Sequence, residues 1–291
     1  MASVVQGLPP AAAGRRELWL RFCRTRNAVL GAVLVALVLA VALLAPWLAP
    51  YDFEEVDILN VWAPPSAEHV LGVDGLGRDI LSRILIGARV SLLVAVTVLA
   101  ITLTVGVTVG MIAAWFEGPI DALSMRTVDI ILAFPELILA ILVAAMIGPG
   151  LTTVIVALAL VWWPGVARLT RSLVLGLKHE LFIDAAIACG TPTWKIMLRH
   201  VLPNIAAPLL VRASIGVGFI IMAEATLSFL GIGVQPPQPT WGGMIRDGLP
   251  ALRTEPWLAL WASAALGLTI IGFNLLGDGL RDILDPRIRD R

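Results

Sequence analysis

The sequence predicts an all-α membrane protein with six transmembrane helices. Its 291 residues are 58% hydrophobic and only 14% charged, with mean hydropathy +0.90. A chain of this size cannot hide so much apolar surface from water, so the bilayer must be its solvent. Apolar runs long enough to cross a hydrocarbon core of roughly 30 Å recur along the chain. Between two of them stands a polar segment, Asp184–Asn204 (DAAIACGTPTWKIMLRHVLPN), with the chemistry of a helix–turn–helix.

Residues 1–27 form an N-terminal segment. A cleaved signal peptide is not expected there, because the following apolar run is long and ends in the bulky Pro46-Trp47-Leu48. Residues 28–48 are the first span. Residues 49–89 are too long for a simple turn and begin with Asp52, Glu54, Glu55 and Asp57. After Gly77, the residues Ile80, Leu81, Ile84, Leu85 and Ala88 share a face opposite Arg78, Asp79 and Arg83. That pattern predicts a short amphipathic helix lying at the membrane interface. The core, residues 90–278, which holds the module within residues 178–204, opens with the second span, Val90–Phe116. Leu137–Ala167 carries no charge, is too long for one span, and is broken by Gly148-Pro149-Gly150. It predicts a third helix from near Asp129 to Ile147 and a fourth from Leu151 to about Arg168. Asn204–Leu230 is the fifth span and Leu258–Gly277 the sixth. Gly231–Pro256 between them is rich in Gly, Pro and Trp and reads as a fixed, irregular loop. Residues 279–291 are the tail.

Six spans leave both termini on one side. The segments on that side hold fifteen of the Lys and Arg residues and the opposite segments five; Arg212 lies within a span. The positive-inside rule then places both termini and the Asp184 module in the cytoplasm. Cys23 and Cys189 fall on that reducing side, so neither a disulfide nor a metal site is expected. The net charge of zero gives no sign of nucleic acid.

Within the module, Asp184 to Cys189 reads as a helix end and Gly190 as the turn, where positive φ is free of cost. Thr191-Pro192 reads as N-cap and first helical residue. Trp194, Met197, Leu198 and Val201 recur at helical spacing as one apolar stripe, with Lys195, Arg199 and His200 elsewhere, and Pro203 stops the helix. A solvated helix on the membrane surface and a docking element are both compatible with this pattern.

Several chemistries are missing. No phosphate-binding Gly-x-x-x-x-Gly-Lys-Ser/Thr occurs, nor His-Glu-x-x-His, nor Gly-x-Ser-x-Gly. Gly72–Gly77 lacks a lysine and reads as turn chemistry. Charges inside apolar runs cost a few kcal/mol each. Glu136 and Arg212 are placed to snorkel near the cytoplasmic ends, and Glu224 sits near the outer end of span five. Each either lines a hydrated path or makes a structural contact. Gly106-x-x-x-Gly110 permits close helix approach, and Gly216-x-Gly218 suggests backbone flexibility.

Asp184-Ala185-Ala186, Gly190 and His200-Val201-Leu202-Pro203-Asn204 together resemble the EAA-type cytoplasmic motif of type I ABC importer permeases, with Asp184 in place of the usual Glu. The likeness extends through Ala49-Pro50-Tyr51-Asp52, His69–Asp74, Gly77–Arg83 and Gly87-Ala88-Arg89. It continues in Leu227–Gly231 with Gly233–Pro237, and in Phe273–Asp282. Together these are similar to the C-type permease of the dipeptide, oligopeptide and nickel branch. The resemblance implies the type I permease fold in a bacterial or archaeal inner membrane. It implies a B-type permease as heterodimer partner, two cytoplasmic ATPase domains that bind the ATP and Mg, an outer substrate-binding protein, and membrane lipid around the spans. It implies that this chain itself binds no cofactor and carries no catalytic residue. The module becomes a coupling helix, with Trp194 and Met197 as apolar anchors and Asp184, Lys195 and Arg199 as charged contacts. Gly190 would hold its two helices close. Peptides are the implied cargo, with nickel or glutathione carried by relatives. A membrane scaffold that recruits a cytoplasmic partner is the reading from another class.

Overall fold

The computed structural model describes residues 15–284. Eleven α-helices occur among them, and no strand beyond an isolated Val73–Asp79 bridge. Helix α1 (Arg15–Arg24) leads into α2 (Arg26–Leu48), which packs along the last helix, α11 (Trp257–Leu284). The centre is built from α3 (Ile80–Phe116), α6 (Leu151–Leu177) and α9 (Leu202–Phe229). Five helical runs are long and apolar enough to span a membrane. A sixth span requires counting α4 (Gly118–Leu132) and α5 (Glu136–Ile147) as one pair, bent by 88°.

That bend corrects the expected straight third helix. Pro135 has no N–H to continue a ladder, and the residue before a proline avoids helical backbone. The chain therefore turns at Ala133–Pro135. Helix α5 alone has 12 residues, roughly 18 Å, well short of the hydrocarbon core. Helix α4 is instead bound to α6, where Asp121 accepts from Arg171 Nε and Nη2, both at 2.5 Å, and Asp129 pairs with Arg168. Helix α6 runs past Arg168, its expected end, to Leu177.

The interfacial helix and the second span are one rod of 37 residues, about 55 Å long. Asp79 caps it by accepting from the Ser82 amide at 2.7 Å, and no proline interrupts it. Its polar face meets protein rather than water. Arg78 and Arg83 are buried against Asp74, which accepts from Arg78 Nε and Nη2 at 2.8 Å and lies 3.5 Å from Arg83 Nε. The 231–256 segment, expected to be irregular, contains a helix. Helix α10 (Trp241–Gly248) is capped by Thr240, and the buried Trp241 donates to the Ile84 carbonyl at 3.2 Å.

Gly106 and Gly110 do seat α3 on α6. A Cβ at Gly106 would lie 2.8 Å from the Trp163 carbonyl oxygen, and one at Gly110 would lie 2.4 Å from that of Ala167. Three apolar clusters follow from this packing. One fills the centre, one around Ile80 and Met244 closes the end that carries residues 49–79, and one lies at the opposite end around Met111, Val174, Ile183 and Ile196.

Candidate functional site

That last cluster seats the polar module. Helix α7 (Leu181–Ala188) ends in paired 6→1 and 5→2 hydrogen bonds, in which Thr191 N–H donates to the Ala186 carbonyl at 3.1 Å and Gly190 N–H to that of Ile187 at 2.9 Å. Gly190 has φ +70°, the left-handed conformation this cap needs. A Cβ there would meet nothing within 4 Å. The glycine is therefore required for backbone conformation, and not, as the resemblance implied, to bring two helices close. The next helix, α8 (Thr193–Ile196), takes Pro192 as its N-cap rather than Thr191.

Pro203 does not stop the helix. From Thr193 to Phe229 the chain is one helical run of 37 residues. A wide turn at Met197–Val201, in which Leu202 N–H donates to the Met197 carbonyl, relieves the clash a proline makes with the preceding turn. The widened turn also shifts the apolar seam. Ile196 and Val201, five residues apart, are buried, and Ile205 and Leu209 follow at intervals of four. The expected stripe is thus split: Val201 points in, Met197 is half-buried, and Trp194 (64% exposed) and Leu198 point out.

The outward surface of the module joins Leu181 (84% exposed), Asp184, Ala185, Ile187, Trp194 and Arg199, with Ala186, Lys195 and His200 partly covered. Asp184, Lys195 and Arg199 form no ion pair among the described residues. Pro203 is exposed beside them. Leu181, Phe182 and Ile187 were not anticipated; apolar residues on a module that is not lipid-embedded were the available signal. At the start of the 178–204 segment, Lys178 Nζ donates to the Trp115 carbonyl and to Glu117, each at 2.7 Å, and ties the end of α6 to the end of α3.

Glu136, Arg212 and Glu224 are not brought together. Glu136 is exposed at the start of α5. Arg212 does not snorkel, because its Nη2 reaches across to α6, 3.7 Å from where a Gly165 Cβ would stand. Glu224 is fully buried, accepting from Ser91 Oγ at 3.0 Å and Ser228 Oγ at 2.8 Å, so it clamps α3 to α9 and lines no path within this chain. Gly218 packs against Asn274, 3.0 Å from its Oδ1 if a Cβ is added, which leaves little room for the flexibility read at Gly216-x-Gly218.

The structure thus joins a multi-span core to an exposed, charge-bearing elbow continuous with one span. Residues 106–290 match the family of binding-protein-dependent transport system inner membrane components, and residues 15–65 match the N-terminal transmembrane domain of oligopeptide transport permease C. The chain belongs to this permease family. The glutathione transport system permease protein GsiD of Pectobacterium atrosepticum is 43% identical over 277 residues, covering 94% of this chain and 91% of its own. The protein of the same name from Escherichia coli O1:K1 is 43% identical over 274 residues, covering 94% and 90%. The chain is thus a C-type ABC importer permease, a multi-pass inner-membrane subunit with the type I fold.

Proposed function

We propose that this permease imports short peptides, glutathione among them, as half of a path completed by a B-type permease, and that Asp184–Asn204 is where ATP-driven movement enters. One observation carries the second part. The exposed α8 is continuous with the span α9, so a push on the module moves a transmembrane rod and not a slack loop. Asp184, Lys195 and Arg199 offer unpaired charges, and Trp194 an apolar anchor, for a cleft in an ATPase subunit. Two ATPase domains bind the ATP and Mg in the cytoplasm, and a substrate-binding protein docks on the 49–79 and 231–256 segments outside. Peptide cargo follows from the resemblance to permease C and from the name of the glutathione relatives.

Gly190→Leu should abolish ATP-driven peptide uptake in vesicles while the complex still assembles; normal uptake would remove the module from the coupling role. Orientation is checked with an impermeant thiol reagent. Gln238→Cys should label from outside, and the native, exposed Cys189 only after permeabilisation.

A further inference from the structure

Arg212 is a partly buried cation inside a span, and the described residues supply it with no hydrogen-bond or ion-pair partner. It lies ten residues along α9, about 15 Å from Leu202, and its side chain crosses toward Gly165 of α6 instead of turning to the membrane edge. Arg168 and Arg171 of α6, by contrast, are paired with Asp129 and Asp121. The cleft that Arg212 enters lies between α3, α6 and α9 and is lined also by Leu99, Thr102, Trp162 and Gly216. Thr102 is 3% exposed, and its hydroxyl has no hydrogen-bond partner. Beside the cleft, Trp162 meets the half-exposed Phe219 edge-on, with ring centroids 6.3 Å apart. A guanidinium offers only donors, and a hydroxyl can add one more. Both lack an acceptor in the same place, at a depth where an unsatisfied charge is expensive. Free space there is about 10 Å³, room for about one water, so the cleft is closed in this conformation.

We propose that Arg212, assisted by Thr102, is an anion subsite of the translocation path that takes the carboxylate of a passing peptide. This rests on the peptide-import reading above. Every peptide with a free C-terminus carries a carboxylate, which would be as costly as Arg212 to leave unpaired in the bilayer. A guanidinium meets it with two parallel N–H···O bonds. Because Arg212 rides on the rod that begins at the module, movement of α9 opens and closes the cleft around it.

The test uses the whole reconstituted transporter with its binding protein, comparing peptides imported per ATP hydrolysed. Arg212→Gln should lower this ratio about tenfold for glutathione relative to the unaltered complex, and less for a glutathione carboxyl ester. ATP hydrolysis stimulated by loaded binding protein should stay within about twofold, and Arg212→Lys should recover part of the loss. Thr102→Val should give a smaller loss of the same kind, and it carries the test if Arg212→Gln does not assemble. Equal ratios for variant and unaltered complex overturn the subsite. So does an assembly defect cured by Arg212→Lys while Thr102→Val is normal, which would make Arg212 a structural partner of the other permease. If the unaltered complex imports no peptide of any kind, the underlying reading fails instead, and the subsite with it.

Discussion

Residues 49–79 and the module at Leu181–Ile196 both stand clear of the spans, and both are rich in polar groups. The first segment and the start of α3 pair most of their buried polar groups with one another, Arg83 Nε being left without a hydrogen bond. Asp74 holds two buried arginines, Asp79 holds His69 Nδ1 at 2.9 Å and the Ser82 amide, and Tyr51 donates to the Glu68 carbonyl. The module does the reverse. It buries Ile183 and Ile196 as feet and leaves its charges and a tryptophan in solvent. A polar segment that closes its own network is built to keep its shape. It can meet a partner as a preformed surface, whereas one that leaves its charges unpaired needs another protein to complete it.

Breaking the closed network should have the largest effect. Asp74→Ala strands the guanidiniums of Arg78 and Arg83, each less than 10% exposed, and breaking a buried pair this way costs about 3–5 kcal/mol. The permease pair should melt far lower in detergent, and Asp74→Asn should recover part of the loss by keeping the amide hydrogen bonds from Leu76 and Arg78. Breaking the open surface should leave folding alone. Trp194→Ala should not shift the melt by more than about 0.5 kcal/mol. It should weaken ATPase binding by about 2 kcal/mol or more, roughly thirtyfold, in a titration of ATPase onto nanodisc-held permease. A large melting shift for Trp194→Ala, or none for Asp74→Ala, would erase the contrast.

The two segments also differ in how much of them was legible in the sequence. Gly190 was readable as a turn because only a left-handed residue fits that helix end, and local chemistry decides such a position. The spans were readable from apolar runs, and Gly106-x-x-x-Gly110 from its spacing. Where the outcome depended on distant partners, the reading failed. Arg83 looked solvent-facing because nothing in its own helix pairs with it, whereas its carboxylate comes from a loop folded back over the helix. Pro203 looked like a stop because the wide turn that absorbs it leaves no mark except the five-residue step from Ile196 to Val201. Glu224 looked able to face a path; its two hydroxyl partners, one on another helix, could be found only in three dimensions.

The smallest effect sharpens the comparison at the edge of the module. Glu117 accepts from Lys178 at 2.7 Å in a solvent-exposed pair, and that hydrogen bond holds its carboxyl below the ordinary value of 4.5. A carboxylate whose folded pKa is depressed stabilises the fold fully at neutral pH. That contribution fades as pH falls through the ordinary value toward the lowered one. Glu117→Gln should therefore melt slightly lower at neutral pH, with the difference closing as pH falls below the ordinary carboxylate value, and molar salt should screen out the same difference. At neutral pH Lys178 keeps its bond to the Trp115 carbonyl, so the tie between α3 and α6 should survive and ATP-coupled uptake should be unchanged. If Glu117→Gln instead uncouples uptake from ATP hydrolysis at neutral pH, the working surface extends beyond Leu181 to the α3–α4 junction. The boundary between the closed and the open polar regions would then have to be redrawn there.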